Sequence, residues 1–206
     1  MNDRSIHPKS PYNGGLTREQ FCFHEMRCTA ALLCEGLPDG EVIDRITREN
    51  LFQYPTERML KNLASVCVRR LRAMKNDPLI EAAAHQPADT AKQVCLYAMM
   101  KDNRLVWDFM LTVVAEKFRQ RQFSLSRADV NLFFLRLQEQ DDTVAGWSAA
   151  TITKIGQVLR RALIENSYLD GPRSERLNPV LISRVLEEAI RAAQDERALP
   201  AFNCFD

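Results

Sequence analysis

The stretch WSAATITKIGQVLRRALIENSYLDGPRSERLNPVLISRVLEEAI (Trp147–Ile190) decides how the chain is read. Ser148 stands directly before an apolar periodicity, and its hydroxyl can accept a bond from the otherwise orphaned amides of a first helical turn. Beyond it Ile152, Ile155, Leu159, Ala162 and Leu163 recur at helical spacing and share one side at about 100° per residue. Lys154, Gln157 and Arg161 fall on roughly the opposite side, flanked by Thr153 and Arg160. The turn signal Leu169-Asp170-Gly171-Pro172 folds the chain back and leaves Arg173 and Arg176 on an exposed loop or short hairpin. Asn178-Pro179 then opens a last helix to about Ala193. A helix, a short turn, a polar-fronted helix and a basic loop follow one another as in a winged helix-turn-helix, whose front would face DNA. The same pattern also fits any two helices joined by a Gly-Pro turn, with the front simply solvated.

Around this stretch, composition sets limits. The chain has 206 residues, 46% hydrophobic and 27% charged, which is ordinary for a soluble domain and enough for one sizeable core or two small ones. Sustained i, i+3, i+4 apolar patterns and only 7 glycines make it all-α. A formal net charge of +1 argues for no nucleic-acid partner by itself, so any such argument rests on where the charges sit. The longest apolar run, Leu105 to Ala115, is interrupted by Asp108 and Thr112 and falls short of the ~20 residues needed to span a bilayer. No signal sequence opens the chain, so a cytoplasmic location without membrane contact is expected.

The second informative element begins at Pro55, read as the first position of a helix running to about Met74. Leu60, Leu63, Val66, Cys67, Leu71 and Met74 form its apolar stripe. Arg58, Lys61, Arg69 and Arg72 share, with Ser65, an arc of roughly 80°, with Lys75 at its edge and Arg70 off it. Only Glu57 offsets six basic residues between 55 and 75. Cations at such spacing can grip successive phosphates and release their counterions. They can equally form a solvated face or pair with carboxylates from neighbouring helices.

In chain order, residues 1–15 form an extended arm, tacked to the body by Tyr12. A helical domain follows over 16–122. Thr17-Arg-Glu-Gln20 reads as a capping box opening a helix to about Cys34, and a second helix covers Glu41–Glu49. Asp77-Pro78 ends the basic helix, Leu79–Ala84 is a short turn, and 85–89 is a loop. Thr90–Lys101 and Arg104–Arg121 make a helical pair with Leu96, Met99, Met100, Leu105, Phe109, Val113 and Phe118 inward. Arg119–Phe123 is the boundary. A fresh cap at Ser126, with Asp129 three residues on, starts the second helical domain over 123–195. A tail over 196–206 packs back through Phe202 and Phe205.

No catalytic constellation is present. Six cysteines lack any C-x-x-C pair and read as buried free thiols. His24-Glu25 has no second histidine at zinc-protease spacing, and there is no Gly-rich phosphate loop and no G-x-S-x-G elbow. His24 and Cys28 lie one turn apart but without an orienting acid. The expectation is a non-enzyme with no metal and no cofactor.

Asn50-Leu51-Phe52, Arg69-Arg70-Leu71 after the basic helix, Trp147-Ser148-x-x-Thr151, and Leu177-x-Pro179 before the last helix resemble the BrxA family of BREX (bacteriophage exclusion) systems. The likeness runs from about Tyr12 to Ala193 in short, diffuse motifs. It implies an all-helical protein with a NusB-like N-terminal portion that binds nucleic acid beside other BREX proteins in phage defence, and it supplies no catalytic residues. The resulting expectation is a duplex-DNA-binding protein using mainly backbone contacts. Its candidate contacts are Arg58, Lys61, Arg69, Arg70, Arg72, Lys154, Gln157, Arg160, Arg161 and Arg173. A protein-interaction adaptor and an RNA-binding, antitermination-like factor are the alternatives.

Overall fold

Thr56 sets the start of the basic helix. Its backbone is extended and its side chain accepts from the Met59 amide, so Glu57–Ala73 (α3) begins two residues after Pro55. The structure, a computed structural model, describes residues 10–205; the predicted arm before residue 10 lies outside them. Ahead of α3 come Phe23–Cys34 (α1) and Asp39–Arg48 (α2). After it come Asp77–His85 (α4) and Ala88–Asp102 (α5). Pro78 therefore starts a helix, capped by Asn76, where the sequence suggested an end; a missing amide is harmless in a first turn. Arg104–Phe109 (α6), a π-helical turn at Met110–Val114 and Ala115–Arg119 (α7) run on as one rod. The extra residue of the π turn shifts the phase, so Val114 rather than the expected Val113 is fully buried.

Arg127–Gln140 (α8) opens with the expected capping box, Ser126 and Asp129 each bonding the other's backbone amide. Asp142–Ala145 (α9) follows as a single turn, and Ser148 caps Ala149–Glu165 (α10) by accepting from the Thr151 amide at 3.2 Å. Asn178-Pro179 does not cap the last helix. Residues 179–182 continue outside any helix, and Ser183 caps Arg184–Ala192 (α11). A 3-10 helix, Glu196–Phe202, buries Phe202 completely, whereas Phe205 stays partly exposed.

The fold is all-α. Among the described residues the only β pairing is two antiparallel bridges, Ser124 with Arg176 and Leu169 with Leu177. α1, α3, α4 and α5 pack on one another, α11 returns onto α4 and α5, and α10 rests on the short 3-10 turn Gly14–Thr17. One apolar cluster runs from Leu16 through Met99 and Phe109 to Leu159 and Phe202. Tyr12 ties the arm down, its hydroxyl donating to Asp108 at 2.7 Å. The Thr17 capping box does not form. Thr17 ends the 3-10 turn and donates to the Gly14 carbonyl, while α1 starts only after Cys22, held at φ 55°.

Candidate nucleic-acid interface

α3 presents its basic arc as expected, but neighbouring elements supply carboxylates that its own sequence lacks. Arg69 donates through Nε to Asp102 at 2.7 Å and through Nη2 to Glu19 at 2.6 Å. Its hydrogen bond to Asp102, with Glu19 adding to it, raises its pKa well above the ordinary guanidinium value. Arg72 bridges Asp39 at 2.9 Å and Asp77 at 3.6 Å. Arg70 is fully buried, donating to the carbonyls of Gln20 at 2.6 Å and Glu19 at 3.0 Å. It has no access to a nucleic acid and leaves the set of candidate contacts. Arg58 and Lys61 remain exposed and form no ion pair among the described residues.

On α10 the division is sharper. Lys154 and Gln157 are exposed and open to solvent. Arg161 reaches Glu165 one turn on, at 2.5 Å. Arg160 faces the returning loop instead. It donates through Nε to the Pro172 carbonyl at 3.2 Å and through Nη2 to the Ser174 carbonyl. Desolvation, followed by the field of Arg127, lowers its pKa, and only Glu175 opposes this. Arg160 thereby clasps the loop that carries Arg173, whose side chain is exposed at the tip.

The loop has a definite frame. The Leu125 amide donates to the Glu175 carbonyl at 2.7 Å, that of Leu177 to Phe123 at 3.1 Å, and that of Asn178 to Tyr168 at 2.8 Å. Three extended segments, 123–125, 168–169 and 175–178, thus lie side by side with the last in the middle. Sequence reading missed the first segment, because pairing of one or two residues leaves no period-2 alternation to detect. It also passed over Arg127, the first residue of α8, which the fold brings near Arg160.

Two depressions flank α10. One groove of about 830 Å³ lies between α1, α3 and α10 and joins Arg69 and Arg161, together with Arg18. Glu19, Glu25 and Glu165 share that groove, so its charge is mixed. The other, about 520 Å³, lies between α8, α10 and Pro172, and no carboxylate among the described residues lines it.

The cysteines are free thiols, of which Cys67 and Cys95 are buried, Cys22, Cys28 and Cys204 half-buried and Cys34 exposed. Burial pushes Cys22 up to about 11 and Cys95 up to about 12. Among the described residues no helix is long and apolar enough to cross a membrane.

The BrxA family model matches residues 10–194. A BREX protein BrxA from Bacillus cereus (strain H3081.97) is 35% identical over 185 residues, covering 89% of this chain and 92% of its own. A BREX protein BrxA from Paramagnetospirillum magneticum (strain ATCC 700264 / AMB-1) is 26% identical over 172 residues, covering 84% and 86%. The crystal structure of an uncharacterized protein from Magnetospirillum magneticum shares the fold, with a TM-score of 0.81 over 94% of this chain and 98% of its own, at 23% identity.

Proposed function

The chain belongs to the BrxA family of BREX phage-defence systems, and from that premise we propose that it binds duplex DNA through α10 and the loop after it. The observation that carries this reading is the frame of the loop. Segment 123–125 precedes α8, and the extended return after α10 lays its last segment, 175–178, between 123–125 and 168–169, the strand order of a minimal winged helix. Lys154 and Gln157 on α10, with Arg173 and Arg176 on the loop, form the contact face. Lysine and arginine side chains there neutralise phosphates, and Gln157 offers an amide to a base edge. Arg58 and Lys61 on α3 form a second, smaller patch, and α1 to α5 are taken as the NusB-like portion. The protein acts without catalysis, alongside other BREX proteins.

Fluorescence anisotropy with duplex DNA, duplex RNA and single strands at two salt concentrations tests this. Wild type binds duplex DNA, and Lys154→Glu/Arg173→Glu weakens it by roughly tenfold or more at low salt while flattening the log–log salt dependence by about 1.8. Arg58→Glu/Lys61→Glu has the smaller effect. If wild type binds no nucleic acid at low salt, the basic faces belong to an acidic protein partner. Preferential binding of RNA makes the antitermination-like reading the correct one.

A further inference from the structure

We propose that the cleft between α8 and α10 is a binding site for a nucleotide, its phosphate held by Arg127 and Arg160 and its base laid on the apolar floor. The cleft measures about 520 Å³, within the range of small-molecule sites. Val130, Phe134, Ile152 and Ile164 supply an apolar floor. Gly156 adds no side chain to that floor: it stands in the interior of α10, where alanine is the better helix former, and a Cβ there would be in ordinary contact with Val130 at 3.4 Å and Phe134 at 3.9 Å, so that a longer side chain would fill the cleft. Asn131 and Gln157 stand at the edge with amides that donate and accept, as recognition of a heterocycle requires.

The charge points the same way. No carboxylate lines the cleft, and Arg127 forms no ion pair among the described residues although it sits at the positive end of α8. Arg127 also lowers the pKa of Arg160, a repulsion that an anion between them would relieve. The Nη1 of Arg160 is buried without a hydrogen-bond partner among the described residues. A buried donor left unmade is costly, and the planar guanidinium fork is suited to phosphate oxygens. Of the nearby acids, Asp129 pairs with Lys117 at 2.9 Å and Glu165 with Arg161, and Glu175, whose field reaches Arg160, stands outside the cleft lining. The site shares Gln157 and Arg160 with α10 but does not rest on the DNA-binding reading.

Calorimetric titration of the full chain with dAMP, inorganic phosphate and deoxyadenosine decides the matter without any duplex present. Wild type binds dAMP saturably, and phosphate or nucleoside alone binds at least about tenfold more weakly, because each forms half of the contacts. Arg127→Ala, a surface change, weakens dAMP by roughly tenfold. Gly156→Leu, which fills the floor, abolishes binding, and Arg184→Ala, on the exposed side of α11 and outside the cleft, leaves it unchanged. Should Gly156→Leu lose its fold, Arg127→Ala decides alone. Competition with a 5′-phosphorylated oligonucleotide separates the two sources of the ligand: displacement of dAMP assigns the cleft to a strand end, and no displacement assigns it to a free nucleotide. The proposal is overturned if dAMP does not saturate in the millimolar range or binds Arg127→Ala as well as wild type.

Discussion

A guanidinium withdrawn from water needs its donors filled, and Arg70 fills most of them with backbone. Its bonds to Glu19 and Gln20 span about fifty positions of chain, with Asp102 and the Glu19 carboxylate each 3.9 Å away. They hold residues 19–21 out of a helix, which is why the Thr17 capping signal is overruled and α1 starts late. Arg70→Met leaves the Gln20 and Glu19 carbonyls without their donor, while Asp102 keeps Arg69, so it destabilises by about 3 kcal/mol in urea denaturation. Arg70→Lys recovers little, because an ammonium cannot bridge two fixed carbonyls as a planar fork does. Equal stability of the Met variant and wild type refutes the clamp. None of this was legible in sequence, where Arg70 was one cation among six between residues 55 and 75 and its partners lay far off in the chain. Tyr12 was legible only as an anchor. Its burial, then its bond to Asp108, pushes its hydroxyl up to about 12, and burial does the same for Tyr54 beside Glu25. Both raised values favour the neutral phenol in the folded chain. The stability they contribute is complete below the unfolded pKa of about 10 and is lost as the pH climbs to about 12. Alkaline titration should show tyrosinate absorbance rising with loss of helix in that window, and Tyr12→Phe should shrink the effect.

At the scale of elements, α10 was readable because its signals are local: a serine cap, a clean apolar stripe and a turn four residues past its end. Ser148→Ala removes the acceptor for the Thr151 amide and should cost about 1 kcal/mol by thermal melting, with no change in helix boundaries beyond the first turn. An effect near zero would mean that the first turn has another partner. The loop after α10 was only half readable. Asp170-Gly171-Pro172 marked its turn, and Arg173 stood out as exposed. What fixes it in space comes from elsewhere: the Phe123 and Leu125 backbone and the Arg160 clasp, contacts that no periodicity encodes. The basic arc of α3 shows the converse. Its geometry was predicted correctly, but Glu19, Asp39, Asp77 and Asp102 arrive from other elements and neutralise Arg69 and Arg72. A one-sided run of arginines therefore says where cations are, and only packing says whether they are available. Cations without carboxylate partners among the described residues, such as Lys154, Arg173 and Arg127, are the ones left available to an anion.

For the whole molecule the question is whether residues 16–122 and 123–195 behave as separate domains. A Ser-Arg-x-Asp cap after a polar stretch is a good boundary signal, and the capping box is there. Yet packing crosses the boundary at several places. α11 closes over α4 and α5, α10 seats on the Gly14–Thr17 turn, and the 196–202 turn packs on the π-helical segment. Tyr97 and Lys101 of α5 both hold Asp195, at 2.6 Å and 2.8 Å. A continuous apolar cluster across these contacts favours cooperative unfolding, because exposing either half uncovers the other's core. The two tryptophans fall on opposite sides of the boundary, Trp107 in α6 and Trp147 before α10. Each can therefore report one half. In Trp107→Phe the remaining Trp147 reports the second half, and in Trp147→Phe the remaining Trp107 reports the first. If the halves are coupled, each variant's fluorescence midpoint in urea coincides with its own far-UV circular dichroism midpoint. A fluorescence transition separated from the dichroism in either variant means independent domains, and the contacts of α11 and Asp195 then contribute little to stability. Coincidence has a functional consequence: a ligand seated on α10 would stabilise the N-terminal helices as well, so binding of DNA should raise a single melting transition rather than the upper of two.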